Sequence, residues 1–192
     1  MPSPNQLPPI PEQIETERLL LRIPRAGDGE RINAAIHESF EQLHRWMDWA
    51  RRMPTLLESE TYAREAAARF RARDEITMLI IRRSDGLLAG GTSLHTIDWS
   101  VPRFEIGYWL RTCAEGHGYA TEAVSALAKL CFEALAAERV EIRCDIQNER
   151  SAAVAERAGF TLEARLRRHR RNLHGALTDT LVYARLREDG WR

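Results

Sequence analysis

The sequence is almost without lysine: of its 28 basic residues, Lys129 alone is not arginine. Twenty-eight acidic residues balance them, so the formal net charge is zero. No global field draws the chain to nucleic acid or to anionic lipid. Apolar runs are short, none approaching the ~18 residues of a membrane span. Cysteine is scarce, at positions 113, 131 and 144. An odd count without Cys-x-x-Cys spacing argues against a disulfide framework or a zinc site, and for reduced thiols in a cytoplasmic protein. The six histidines, at 37, 44, 95, 117, 169 and 174, show no ligand spacing, so no metal is expected. Internal repeats are missing. The segment Met1–Pro11 holds five prolines and no hydrophobic stretch, and reads as a loose leader over residues 1–12 rather than a secretory signal. Residues 13–192 suit a single domain with a substantial core.

What is present divides into clear elements. Residues 16–23 (TERLLLRI) read as a strand, 26–49 as more than one helix, and 57–73 as a longer helix. Residues 76–83 and 87–97 make a hairpin about Ser84-Asp85-Gly86. Residues 103–110 (RFEIGYWL) are a further strand. The helix predicted over 118–136 carries Ala120, Ala123, Val124, Leu127, Cys131 and Leu135 on one stripe. Then come a strand (140–146), a short helix (149–158) closed by Gly159, and a strand from Phe160. A last hairpin turns at 172–176 and returns through 187. The order predicts a mixed α/β (α+β) domain.

The segment between strand 103–110 and the next helix concentrates the chemistry: Arg111-Thr-Cys-Ala-Glu-Gly-His-Gly-Tyr-Ala-Thr121. Glycines 116 and 118 let a ligand approach the backbone. The helix start behind them offers unpaired N–H groups and a positive dipole end, a cradle for phosphate or pyrophosphate. No Gly-Lys-Ser/Thr of a P-loop is present. The dinucleotide pattern half matches, but it stands late in the chain, whereas a dinucleotide fold opens with it. A ligand-free glycine turn stays open on this segment alone.

Glu115-Gly-His-Gly-Tyr-Ala120, followed by Thr-Glu-Ala, resembles the pyrophosphate loop Gln/Arg-x-x-Gly-x-Gly/Ala of the GNAT N-acyltransferases. Three further stretches resemble one branch, the RimJ/RimL-type ribosomal-protein N-terminal acetyltransferases and their relatives acting on small amines. They are Ile14-Glu-Thr-Glu-Arg-Leu-Leu-Leu-Arg22, Glu105-Ile-Gly-Tyr-Trp-Leu110, and Asn148-Glu-Arg-Ser151 with Ala158-Gly-Phe160. Trp46-Met-Asp-Trp49 is similar to that branch's substrate-side helices. The loop departs from the pattern at Glu115, a carboxylate that would repel a pyrophosphate unless it points into solvent.

The resemblance implies a mostly antiparallel sheet, splayed at the cofactor site, with helices on both faces. It implies acetyl-CoA as acyl donor, held by Leu110, Arg111, Thr112, Gly116, His117, Gly118, Tyr119, Ala120, Thr121, Asn148 and Ser151. Acetyl transfer needs a neutral amine, a stabilised oxyanion and a proton for the thiolate. By analogy, strands 103–110 and 140–146 part around the pantetheine arm, and a backbone N–H near Leu110 polarises the carbonyl. Ser151 is the expected proton donor, although Asn148 and Ser151 are also good helix-start residues. Glu105 is the expected base, sharing a strand face with Arg103, Gly107 and Trp109, with room beside Gly107. A solvated or ion-paired glutamate is the alternative.

Some branch members carry a basic carboxylate on the strand after Ala-Gly-Phe. Here that stretch is Arg165-Leu-Arg-Arg-His-Arg-Arg171, and Arg170 takes the spot. His169 is a substitute base, though alternation turns it outward. Arg168 and Arg170 are expected at the cleft mouth, drawing in an acidic substrate or the cofactor's phosphates. Trp46 and Trp49, three apart on one helix, read as core packing or as a lid over the amine. The expected partners are acetyl-CoA and a primary amine, without nucleic acid or membrane, and homodimerisation is open. The competing functions are a non-catalytic acyl-CoA-binding regulator and, on the glycine match alone, a nucleotide-dependent oxidoreductase.

Overall fold

A computed structural model describes residues 7–190. The chain runs β1 (Gln13–Glu15), β2 (Leu19–Arg22), α1 (Gly29–Glu38), α2 (Phe40–Trp46), α3 (Leu56–Ala72), β3 (Ile76–Arg82), β4 (Leu88–Asp98), β5 (Arg103–Leu110), α4 (Tyr119–Glu133), β6 (Arg139–Asp145), α5 (Glu149–Arg157), β7 (Thr161–Arg171) and β8 (Leu177–Leu186). The eight strands form one sheet in the order β1-β2-β3-β4-β5-β6-β8-β7. Every neighbouring pair is antiparallel except β5 and β6. That single parallel junction is where α4 carries the chain across, since parallel neighbours cannot be joined by a tight turn.

Helices cover both faces, and β3 shows why. Its residues Ile76, Met78 and Ile80 pack into the cluster built with α4 and α5, including Val124, Leu127 and Val154. Leu79 and Ile81, pointing the other way, pack with Ile32 and Ile36 of α1, Leu43 of α2 and Ala63 of α3. A strand buried on both faces reads as a continuous apolar run, as ITMLIIR does. Lys129 lies on the outer side of α4, within 3.9 Å of Glu133.

Three expectations need correction here. The strand expected over 16–23 is interrupted: Thr16 closes a turn, with its backbone N–H donating to Leu19 O and its side-chain oxygen accepting from Leu19 N–H, so β1 and β2 are separate. The helix expected to reach 136 ends at Glu133, and Ala136 follows with a φ of 55°. Of the expected leader, residues 1–6 lie outside the described part, but the rest is anchored. Ile10 is buried, Pro8 O accepts from Arg73 (2.9 Å), and Glu12 O accepts from Ile23 N–H (2.9 Å).

Asp28, just before α1, ties that helix to β2 through two 2.7 Å hydrogen bonds from Arg22. Burial pushes the Asp28 carboxyl up, but the bonds from Arg22 and from Arg25 N–H outweigh it and hold the pKa below 3.8. A depressed carboxyl adds stability that is complete above 3.8 and is lost as pH falls through the folded value. Asp28→Asn should therefore cost about 1–3 kcal/mol at neutral pH and flatten the acid limb of a stability–pH curve. Parallel curves for wild type and variant would show that the pair contributes nothing.

Candidate active site

β5 and β6 pair only at Arg103–Arg139, Phe104–Val140 and Glu105–Glu141. Beyond Glu105 the two strands part, and a slot opens through the sheet. Arg111 N–H donates to Ala89 O of the β4 side (2.8 Å). Backbone groups alternate across a strand, so Ile106, Tyr108 and Leu110 turn their N–H and C=O groups toward β6 and the slot. One cavity of about 720 Å³ passes here, lined by residues of both sheet faces. Glu105 and Trp109 line it on the α1–α3 face, and Asn148 and Ser151 on the α5 face.

On the first face, Glu105 Oε2 lies 3.6 Å from Arg143 Nε, and the side chain is mostly shielded. Glu105 is thus both a cavity residue and an ion-paired one. Contrary to the expectation from the sequence, Gly107 leaves no open room beside it. An added Cβ there would stand 2.9 Å from His95 Nε2, so the imidazole fills that space. On the second face, the Tyr108 hydroxyl lies 2.7 Å from Ser151 Oγ and donates to Ser151 O at 3.1 Å. Burial pushes the Tyr108 phenol up, against the Ser151 hydrogen bond, so at neutral pH it is a proton carrier rather than a phenolate. Asn148 caps α5, its side-chain oxygen accepting from Ser151 N–H (3.1 Å). The cap and the cavity-lining position coexist, because a helix start places both side chains at one edge.

The loop after β5 is braced from below. Arg111 donates to Glu38 of α1 (2.7 Å), and Thr112 N–H to Ser39 Oγ (2.9 Å). The Arg111 side chain is therefore committed to α1. Gly116 and Gly118 have φ of 75° and 80°, which glycine adopts without strain. The first bond of α4 runs from Glu122 N–H to Gly118 O (3.1 Å). Tyr119, Ala120 and Thr121 thus lack intrahelical acceptors for their N–H groups. Arg18 reaches across from the turn before β2, donating to His117 O (2.8 Å) and lying 2.7 Å from Glu122. The His117 ring stacks on Tyr119. Glu115 does not point into solvent. It accepts from Arg150 of α5 (2.6 Å) and from Gln42 of α2, so its charge is neutralised within the protein.

The helix expected to carry both Trp46 and Trp49 ends at Trp46. Trp49 sits in the turn beyond, half exposed, its ring edge toward Trp109. Both tryptophans line the cavity. Arg168 and Arg170 do not share a face. The pairing of β7 with β8 slips between Leu166 and Arg170, and Arg168 takes a φ of 51° with its N–H bonded to Asp179 (2.8 Å). Arg170 lines the cavity, and Arg168 is exposed outside it beside Arg165 and Arg167. His169 bonds Thr180 (3.0 Å) and is not a cavity residue. The sequence reading missed Tyr108, Arg143 and Asp145. Only the alternation of β6 signals the last two, and for Tyr108 nothing local points to Ser151. Among the described residues no group of three or more His, Cys, Asp or Glu could hold a metal, and no helix is long and apolar enough to cross a membrane.

Comparison with known proteins agrees with this geometry. Residues 18–161 match the family described as acetyltransferase (GNAT) domain. YdaF of Bacillus subtilis (strain 168) is 32% identical over 154 residues, 79% of this chain and 82% of that protein. The ribosomal-protein-serine acetyltransferase of Escherichia coli (strain K12) is 30% identical over 144 residues, 73% of this chain and 79% of that one. Among solved structures, Mycobacterium smegmatis RimJ in complex with CoA-disulfide superposes with a TM-score of 0.81 at 25% identity, covering 91% of this chain and 84% of that one. Since the family match runs from the approach to β2 to the first residue of β7 and encloses the whole slot, the chain belongs to the GNAT acetyltransferases, in their RimJ/RimL-type branch.

Proposed function

We propose that this enzyme transfers acetyl from acetyl-CoA to a primary amine by direct attack in the slot between β5 and β6. The observation that carries the reading is the cavity through the sheet, with a carboxylate on one face and a hydrogen-bonded hydroxyl pair on the other. When bound, acetyl-CoA supplies an acyl group activated as a thioester. The N–H groups of residues 116–121 hold its pyrophosphate, with Asn148 beside the pantetheine arm. Backbone N–H groups at Tyr108 and Leu110 donate to the carbonyl oxygen as negative charge grows there. Glu105 takes a proton from the amine, directly or through water, and Ser151, backed by Tyr108, returns one to the sulfur. One C–N bond forms, one C–S bond breaks, and the proton count closes. The acceptor is a polypeptide N-terminal α-amine or a small-molecule amine, and the E. coli relative named for a ribosomal-protein serine supports the former. Family placement disfavours a non-catalytic acyl-CoA-binding regulator.

Release of free thiol from acetyl-CoA, across a panel of N-terminal peptides, polyamines and aminoglycosides, tests the reading. No release with any amine would overturn it. Acetyl-CoA at about 100 times its Kd should also raise Tm by roughly 5–10 °C, whereas NAD should leave it unchanged. The reverse pattern would favour the oxidoreductase.

A further inference from the structure

Four arginines line the cavity, and three are met closely by a carboxylate. Arg52 lies 3.0 Å from Glu58, Arg69 3.1 Å from Glu75, and Arg143 2.8 Å from Glu141. Arg170 is held more loosely. Its Nη2 is 3.3 Å from Asp145 Oδ2, and its Nε is shielded from solvent yet has no hydrogen-bond partner among the described residues. Arg69 Nε also lacks a well-aligned bond, but Glu75 sits 3.1 Å away. Asp145 cannot turn to serve Arg170 better. It is 4% exposed, and its other oxygen accepts from Gln147 N–H at 2.9 Å. A guanidinium offers five N–H donors in a planar fork matched to a carboxylate. Arg170 spends few of them within the protein, and a buried donor without an acceptor calls for an explanation.

The position says what would supply that acceptor. Arg143 and Asp145 stand two apart on β6 and so share a face, and Arg143 is the partner of Glu105. Arg170, paired with Asp145, therefore belongs to the Glu105 side of the sheet. Ser151 and its partner Tyr108 lie on the other side. No acidic residue occurs between Glu163 and Asp179, so the strand brings no anion of its own. Arg165 is met by Asp179 at 2.6 Å, and Arg167 and Arg168 lie beside it outside the cavity.

We infer that Arg170 anchors a carboxylate carried by the acceptor itself, so that the amine substrate is an amino acid or a peptide beginning with an acidic residue. This deepens the proposed function and rests on it. The anion is the acceptor's and not a phosphate of acetyl-CoA, because the loop for those phosphates starts α4, on the face away from Glu105.

Matched acceptors test the inference: peptides beginning with Glu or Gln, and free amino acids or their carboxamides. Wild type should favour the carboxylate member of one pair by roughly 10–100-fold in kcat/KM. Arg170→Met should erase that preference through KM, the carboxylate member losing far more than the neutral one, with the KM for acetyl-CoA unchanged. Arg170→Lys should retain part of it. Because Arg170→Met strands a buried carboxylate, the double variant Asp145→Asn/Arg170→Met serves as the control for folding. No preference in wild type, or an Arg170→Met effect on acetyl-CoA or on both members equally, would overturn the inference. Calorimetric binding of N-acetyl-glutamate against N-acetyl-glutamine, to protein with CoA, gives a readout that needs no turnover. Tighter binding of the dicarboxylate, lost in Arg170→Met, supports the anchor even if no acceptor in the panel reacts, which would count against the transfer reading alone. Binding of neither, or binding that Arg170→Met leaves unchanged, overturns the anchor.

Discussion

Glu105→Gln is expected to lower turnover at neutral pH by roughly 10² or more, with acetyl-CoA affinity nearly unchanged. The amide keeps the size of the side chain but cannot accept a proton. Activity should return in part at high pH, where free amine accumulates without a base. His169→Gln should leave the rate intact, since His169 bonds Thr180 and lies outside the cavity. The opposite pair of results would move the base to the imidazole. If neither substitution matters, the amine reaches the enzyme already neutral. An α-amine, with a pKa near ~7.7–8.0, can do so, and a lysine or polyamine cannot. Rate–pH profiles of both variants on one peptide and one polyamine separate the three outcomes. Because Glu105 also holds Arg143 at 3.6 Å, a Tm measured alongside shows whether lost rate is lost chemistry or lost fold.

Ser151→Ala should cost roughly 10²-fold in kcat while acetyl-CoA binds almost as before, because a proton donor acts in the transition state. The backbone N–H of Ser151 still reaches Asn148, so the cap of α5 survives the change. Tyr108→Phe distinguishes relay from support. The phenol is 2.7 Å from Ser151 Oγ and is held protonated by burial. If Ser151 is replenished through Tyr108, the phenylalanine variant falls nearly as far, and the double variant falls little further than either single one. Additive losses would mean that the two hydroxyls work separately. A drop in stability without any separate effect on turnover would reduce Ser151 to a helix-start residue.

The sequence was most informative where periodicity and topology agree. Strand 103–110 coincides with β5 because RFEIGYWL is bounded by a proline turn and a glycine loop. Glycines 116 and 118, read from the sequence as letting a ligand approach the backbone, take φ of 75° and 80° before α4. Alternation failed on β7, where the slip between Leu166 and Arg170 resets which side chains share a face, and no residue type there announces a bulge. Pairings distant in sequence were illegible for a different reason. Glu115 with Arg150 and Tyr108 with Ser151 come together only when α5 folds back beside the loop, 35 and 43 residues later in the chain. The two-tryptophan helix failed because helical spacing cannot show that a helix stops between two residues three apart.

The near-absence of lysine has a consequence for the enzyme's own surface. A protein that concentrates a reactive thioester also exposes its own nucleophiles to it, and ε-amines are the ones that form stable amides. Guanidinium groups stay protonated and inert under the same conditions. Here the only side-chain amine is Lys129, on the outer side of α4 beside Glu133. The intact mass of enzyme aged with acetyl-CoA should therefore show at most one internal acetyl addition, placing any larger gain at the chain's N-terminus or at cysteine.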